Sequence, residues 1–135
     1  MTVKDAMRMI KEGKYELATN LLLQLSNEGS LEAKHHLGSH YYLGIYYKKD
    51  IKKANEFWGV ACKGGFKASC DNYSVSLSDL KMYNEAEKAY LHSIDTYKST
   101  TSMKNLSKLY SNKKWIGYNS SKSKHWENIY NESSK

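Results

Sequence analysis

His36 and His40 are the residues whose spacing first suggests chemistry. Side chains four positions apart lie on one face of a helix, so these two imidazole rings could converge on a metal ion. Glu32, one turn earlier, is the candidate for a third ligand. A structural zinc site needs four ligands, and no cysteine lies at a suitable local spacing. The sequence therefore predicts no metal site and no cofactor, and we expect these histidines to be exposed or to face a partner.

A second chemical signature is serine followed by lysine three residues later, which occurs in some serine hydrolases. The chain contains three copies of this spacing, and its seventeen serines and twenty lysines in 135 residues would produce about 2.5 copies by chance. No S-D-N or K-T-G motif accompanies them, and G-x-S-x-G, the Walker A loop and H-E-x-x-H are also absent. We therefore expect no catalytic residues and no enzymatic activity, although the serine–lysine spacing occurs at Ser78/Lys81, Ser111/Lys114 and Ser121/Lys124.

The composition indicates which elements carry these residues. A chain of 135 residues with 40% apolar residues has room for one domain with a core. Proline is absent, which favours helices over a β-sandwich or barrel. No apolar run approaches 18 residues, so we expect no membrane span. Charged residues interrupt the apolar residues of positions 1–14, so we expect no secretion signal and a cytoplasmic location.

The positive charge is concentrated in one stretch. The formal net charge is +7, and residues 96–126 contain seven lysines and no acidic residue. Twenty lysines accompany the single Arg8. Bidentate recognition of guanine or phosphate prefers arginine, so this composition argues against sequence-specific DNA binding.

An internal repeat organises the chain. At an offset of 36, Ala18 aligns with Ala54 and Gly29 with Gly65. At an offset of 69, the aligned pairs are Leu37 with Leu106, Tyr41 with Tyr110, Lys53 with Lys122, and Phe57 with Trp126. Periods near 35 residues with helical apolar spacing indicate stacked pairs of helices.

Apolar periodicity and the glycines between periodic segments predict eight helices. We expect an all-α, right-handed α-α solenoid of four helical hairpins, forming one domain over 1–135. The approximate repeats are 3–27, 30–63, 66–97 and 100–131. The predicted helices lie near 3–11, 14–27, 30–43, 50–63, 66–79, 83–97, 100–112 and 120–131.

One repeat resembles a known family. Residues 29–69 contain Ala33, Leu37-Gly38, Tyr41, Gly44, Asp50, Lys53-Ala54, Trp58, Ala61 and Gly65. This pattern is similar to the Sel1-like repeat, a branch of the tetratricopeptide superfamily, and weaker similarity extends over 30–127. The resemblance implies a scaffold for protein–protein interaction rather than a reaction.

The resemblance also bears on the two cysteines. Cys62 and Cys70 look like the cysteine pairs of secreted Sel1 proteins, in which disulfides join adjacent helices. The alternative is a pair of buried, reduced thiols in the cytoplasm. Both interpretations are open at the level of sequence, and the first requires the two side chains to lie within bonding distance.

In this superfamily the first helix of each pair lines a concave groove, which selects candidate binding residues. In residues 30–43 the groove positions are His35, Ser39 and Tyr42, and of Tyr42 and Tyr46 at least one is expected at the surface. The repeat offsets map the groove positions to Asp71, Val75 and Ser78, and to Lys104, Lys108 and Ser111. The candidate partner-binding residues are therefore His35, Ser39, Tyr42, Tyr46, Asp71, Lys104, Lys108 and Ser111.

We expect the chain to bind a protein with an acidic or neutral surface. A narrower hypothesis is a bacterial immunity-type protein or inhibitor that neutralises a cognate toxin or effector. The alternative is binding of RNA or single-stranded nucleic acid by residues 95–127, where lysines alternate with aromatic residues. The scarcity of arginine makes this alternative the less favoured one.

Overall fold

The computed structural model describes all 135 residues and contains helices and turns but no strand. The helices are α1 Val3–Lys11, α2 Tyr15–Asn27, α3 Leu31–Leu43, α4 Ile51–Lys63, α5 Lys67–Asp79, α6 Tyr83–Tyr97, α7 Thr100–Tyr110 and α8 Ser120–Ser133. All eight predicted helices are present, and no predicted boundary lies more than two residues from the observed one. The all-α prediction is confirmed.

The helix caps repeat with the 69-residue offset. Ser30 and Ser99 begin α3 and α7, and each hydroxyl accepts a hydrogen bond of 3.1 Å from the backbone N–H three residues later. Asp50 and Asn119 begin α4 and α8 in the same way, with distances of 3.0 and 2.9 Å. A capping side chain satisfies a backbone donor that has no partner within its helix, so the two hairpins begin their helices by the same chemistry.

The backbone groups into two compact units, Met1–Cys70 and Asp71–Lys135, and the division falls within α5. The prediction of one domain over 1–135 stays a prediction. In the first unit, apolar side chains of α1, α2 and α3 form the core, and Phe57 of α4 packs against them. The buried members of this core are Val3, Ala6, Leu21, Leu22, Ala33 and Leu37.

The core of the second unit is larger and more aromatic. Helix α8 contributes no fully buried residue to it, but Trp126, Ile129 and Tyr130 pack against it from outside. The buried members are Leu77, Ala86, Tyr90, Ile94, Met103, Leu106, Leu109, Tyr110 and Trp115. The second unit thus closes around α7, whose apolar face supplies four of them.

Cys62, near the end of α4, and Cys70, in α5, form a disulfide with their Cα atoms 4.7 Å apart. No free cysteine remains. This is the arrangement that the resemblance to secreted Sel1 proteins implies. The redox state of the pair in the cell stays a prediction, for which a test is given below.

None of the eight helices combines the length and the apolar character that crossing a lipid bilayer requires.

Candidate functional site

His35, a predicted groove residue, is held within the first unit. Its Nδ1 lies 2.8 Å from Oγ of Ser69, and its ring meets the ring of Phe66 edge to face at 5.1 Å. Burial lowers the pKa of His35. This imidazole is therefore half-buried and engaged by the chain itself.

The other two histidines of α3 also differ from the expectation of exposed side chains. His40 is only 4% exposed, and its Nδ1 has no hydrogen-bond partner. His36 lies 3.9 Å from a carboxylate oxygen of Glu32. Burial lowers the pKa of both histidines. No three histidine, cysteine or carboxylate side chains are grouped so that they could hold a metal ion.

The tyrosines at the end of α3 divide into packed and exposed side chains. Tyr41 stacks on Tyr47 at 4.6 Å, and Tyr42 lies 5.3 Å from the ring of Trp58. Tyr46 is 52% exposed. Of Tyr42 and Tyr46, therefore, Tyr46 has its ring at the surface. Ser39, the remaining candidate on α3, donates its hydroxyl hydrogen to the carbonyl oxygen of His35 at 3.3 Å.

Asp71 of α5 is used inside the second unit. Its Oδ1 accepts hydrogen bonds from the hydroxyl groups of Ser99 and Ser102, both at 2.7 Å. Ser102 is fully buried, so the carboxylate satisfies a hydroxyl that water does not reach. This carboxylate therefore joins α5 to the start of α7. That Asp71 also contacts a partner stays a prediction.

Helix α7 presents the predicted residues that are most available. Lys104, Lys108 and Ser111 are all exposed, and their spacing of four and three residues places them along one helix face. Neither Lys104 nor Lys108 forms an ion pair. The ion pairs seen in the structure all join residues between positions 5 and 36. The ammonium group of Lys104 lies 5.8 Å from the ring centre of Tyr130.

These three residues border a cleft between α7 and α8. The cleft has a volume of about 390 Å³, and both helices contribute polar side chains to its walls. It is lined by Lys104, Ser107, Lys108, Ser111, Ser123, Glu127, Tyr130 and Asn131. Lys104, Lys108 and Ser111 are among the groove candidates that the sequence selected, whereas Ser107 and the α8 side of the cleft were not singled out.

A smaller cavity of about 260 Å³ lies on the other side of α7, toward α5 and α6. Val75 and Ser78, which the 36-residue offset predicted as groove positions, are among its lining residues. Lys108 borders both this cavity and the α7–α8 cleft. The structure thus brings Val75 and Ser78 of α5 and Lys108 of α7 to one cavity, whereas Asp71 does not line it.

Comparison with known proteins agrees with this architecture. No protein-family model matches the chain, and no curated protein matches it. Among solved structures, a Sel1 repeat protein from Oxalobacter formigenes superposes with a TM-score of 0.72 over 97% of this chain, at 15% sequence identity. The fold is that of a Sel1 repeat protein. The chain spans 57% of the length of that protein, and at this identity the likeness extends to the fold alone.

Within this Sel1 fold, the aromatic residues of the basic stretch are largely taken up by packing. Tyr110 is 3% exposed and Trp115 is 7% exposed. The hydroxyl of Tyr110 donates to Oε2 of Glu87 at 2.6 Å, and burial raises the pKa of this tyrosine. Tyr118, in contrast, is 42% exposed. The nucleic-acid alternative needs exposed rings on which bases can stack, and neither Tyr110 nor Trp115 offers one.

The loop between α7 and α8 was not predicted as a functional feature. Trp115 anchors it by stacking on Tyr110 and by donating its indole N–H to Oδ1 of Asn84 at 2.8 Å. The next residue, Ile116, is 95% exposed. Two exposed lysines, Lys113 and Lys114, precede the anchor. The loop therefore places one apolar and two basic side chains in solvent beside a buried tryptophan.

In two of the three serine–lysine signatures, the serine hydroxyl is hydrogen-bonded to a group other than the lysine of its motif. The Ser111 hydroxyl donates to the carbonyl oxygen of Lys108 at 2.6 Å, and Ser78 Oγ lies 3.4 Å from the hydroxyl oxygen of Tyr90. A serine nucleophile needs a base within hydrogen-bond reach, and neither serine is hydrogen-bonded to the lysine of its own motif.

Proposed function

We propose that the chain binds a protein partner without catalysis, through the exposed face of α7 and the adjoining α7–α8 cleft. The observation that carries this proposal is that Lys104 and Lys108 border an open cleft and have no ion pair within the chain. An unpaired, exposed pair of cations favours a partner with acidic groups. Interface cores are packed with high shape complementarity, and the cleft offers a partner a concave surface to fill.

The fold supports the same proposal. Stacked helix pairs expose extended surfaces. Side chains on these surfaces can be substituted without disrupting the core, so such a surface can be adapted to bind a partner. The candidates on α3, which are His35, Ser39, Tyr42 and Tyr46, stay predictions for a second contact area. Of these, Tyr46 is the exposed one.

The test is capture of proteins from a native lysate on the immobilised chain, with and without nuclease treatment. We expect one protein to be retained stoichiometrically after nuclease treatment. The double variant Lys104→Ala/Lys108→Ala should lose that protein, because its acidic groups would lack their counterparts. The matched control Lys113→Ala/Lys114→Ala removes the same charge from the α7–α8 loop and should retain it.

A mixture that disappears with nuclease treatment would contradict the proposal and favour the nucleic-acid alternative. That alternative further requires affinity to fall steeply with salt, because phosphate contacts release counterions. The buried positions of Tyr110 and Trp115 weigh against it.

The narrower hypothesis is that the partner is a bacterial toxin or effector and the chain its inhibitor. It is tested by co-expressing the chain with a co-encoded toxin and measuring cell survival. Protection that depends on Lys104 and Lys108 is the expected result. Survival unchanged by the chain would contradict this hypothesis and leave the general proposal of protein binding in place.

A further inference from the structure

The α7–α8 cleft has an exact counterpart position in the α3–α4 hairpin, where it is filled. The 69-residue offset maps the lining residues of the cleft onto positions of α3 and α4 within the first unit. The two hairpins also share their caps and a lysine placed over a tyrosine, at 5.2 Å for Lys53 and Tyr41 and 5.4 Å for Lys122 and Tyr110. The positions corresponding to the cleft are His35, Gly38, Ser39, Tyr42, Ala54, Trp58, Ala61 and Cys62.

In the α3–α4 hairpin, Trp58 occupies this space. The indole is 4% exposed and donates its N–H to the carbonyl oxygen of His35 at 3.0 Å. Gly38 permits the close approach, because a Cβ at that position would lie 2.5 Å from the indole nitrogen. In the α7–α8 hairpin, Glu127 stands in place of the tryptophan and Ser107 in place of the glycine. The paired replacement leaves the space open and lines it with polar atoms.

The first turn of a helix covers this face in the first unit. Ser69 hydrogen-bonds to His35, and Cys70 is joined to Cys62; both belong to the first turn of α5. In α7–α8 the corresponding positions are Lys104 and Asn131, which border the open cleft. The molecule itself therefore shows what this face of a hairpin accommodates, namely the beginning of another helix.

The charges of the open cleft specify which helix beginning would fit. The first turn of a helix has backbone N–H groups without partners and a partial positive charge, and it favours acidic side chains. Glu127 has no ion pair or side-chain hydrogen bond within the chain and could accept from those N–H groups. Lys104 and Lys108 could pair with acidic side chains of the same turn. The presence of both signs of charge in one cleft is thereby explained.

We propose that the α7–α8 cleft binds the acidic first turn of a helix of the partner protein. This assignment rests on the proposed function and names the element of the partner that is recognised. Lys104 and Lys108 contact its carboxylates, and Glu127 contacts its free backbone N–H groups. An indole placed as in the first unit is excluded, because Ser107 carries a side chain where Gly38 has none.

The probe is a phage-displayed library of a monomeric helical peptide in which the N-cap and the first four helical positions are randomised. Selection on the intact chain should enrich sequences with Asp or Glu in that turn. Enriched peptides should bind Lys104→Ala/Lys108→Ala at least about tenfold more weakly, the factor expected for loss of a charge-assisted hydrogen bond. Glu127→Gln should also weaken binding, and Lys113→Ala/Lys114→Ala should not.

Three results would overturn the assignment: no enrichment, enrichment of sequences without acidic residues, or equal loss of binding in the Lys113/Lys114 control. A dimer of the chain that dissociates in Lys104→Ala/Lys108→Ala would also overturn it, because the cleft would then belong to a second copy. The exposed positions of these lysines allow each variant to fold, which circular dichroism checks. If the Lys104/Lys108 variant loses a captured partner while the library yields nothing, the cleft assignment fails and the proposed function stands. A captured partner that binds this variant undiminished contradicts the proposed function itself.

Discussion

His40 carries an imidazole that the fold keeps largely away from water and leaves without a partner at Nδ1. Burial is the main cause that lowers its pKa, and His36 adds to the effect. The group is therefore neutral in the folded state at pH values where the unfolded chain already binds a proton. A histidine with a lowered folded pKa contributes its full stability above the unfolded pKa of about 6.5 and loses it as the pH falls below that value.

We expect His40→Leu to reduce the loss of stability between pH 7 and pH 5. Leu109 occupies the corresponding position of α7 and is 6% exposed, so a leucine fits this environment elsewhere in the molecule. Removal of an unpartnered buried nitrogen should also raise the free energy of unfolding at pH 7 by about 1 kcal/mol. Urea denaturation at several pH values measures both effects. His92→Leu, the same substitution at an exposed position, is the control.

Gly38 allows the ring of Trp58 to pack directly against α3. A Cβ at this position would meet the Trp58 ring, so Gly38→Ala should lower the free energy of unfolding by about 1–3 kcal/mol through overpacking. Ser107→Ala, at the corresponding position of α7, removes only the hydroxyl that bonds Ser123 at 2.7 Å and should cost about 1 kcal/mol. A smaller cost for Gly38→Ala than for Ser107→Ala would contradict this account of the glycine.

Among the connections between elements, the Cys62–Cys70 disulfide ties α4 to α5 across a short loop. Loop-closure entropy for a separation of eight residues corresponds to about 2.5 kcal/mol, so Cys62→Ser/Cys70→Ser should lower the free energy of unfolding by roughly that amount. Thiol titration of the denatured, unreduced protein should find no free thiol. Two titratable thiols in freshly purified protein would contradict an oxidised pair in the cell and would favour a reducing compartment.

Asp71 connects α5 with α7 through two serine hydroxyls. We expect Asp71→Ala to lower the free energy of unfolding by about 1–3 kcal/mol, because buried Ser102 would lose its partner. Asp95→Ala, at an exposed position, should have little effect on stability. If Asp71 also contacts the partner, Asp71→Asn, which keeps an acceptor for the serines, should weaken partner binding while it preserves most of the stability.

Over the whole molecule, charge is unevenly balanced. The formal net charge is +7, and the ion pairs seen in the structure all lie within residues 5–36. Repulsion among the lysines of the C-terminal half should therefore destabilise the chain at low ionic strength. Raising KCl from 10 to about 150 mM shortens the Debye length to about 8 Å and should raise Tm. Lys113→Gln/Lys114→Gln should raise Tm at low salt and reduce its salt dependence, and a Tm that falls with KCl would contradict this.

The helices could be predicted from the sequence because local signals define them. Apolar periodicity and the glycines between periodic segments, such as Gly29 and Gly65, gave their positions. The side-chain contacts were harder to predict, because they depend on residues distant in the sequence. Asp71 accepts hydrogen bonds from Ser99 and Ser102, which lie 28 and 31 positions later in the sequence. No local sequence pattern predicts such a contact.

The cleft had a signal that could have found it. The same offset that aligns Phe57 with Trp126 aligns Trp58 with Glu127 and Gly38 with Ser107. Two coupled replacements of this kind, one that exchanges an indole for a carboxylate and one that exchanges a glycine for a serine, mark a place where the repeats diverge. The burial of His35 could not be foreseen, because it depends on how α5 packs against α3.

The recurrence of whole contacts makes this protein its own reference for measuring interaction energies. Lys53 over Tyr41 and Lys122 over Tyr110 are the same pair of residue types, at the same sequence spacing and nearly the same distance, in two environments. Double-mutant cycles on the two pairs would compare one cation–π interaction in two settings without a change of solvent, temperature or host protein. Tyr110 also donates to Glu87, whereas Tyr41 stacks on Tyr47, so a difference between the two cycles would report the combined effect of these neighbours on the interaction.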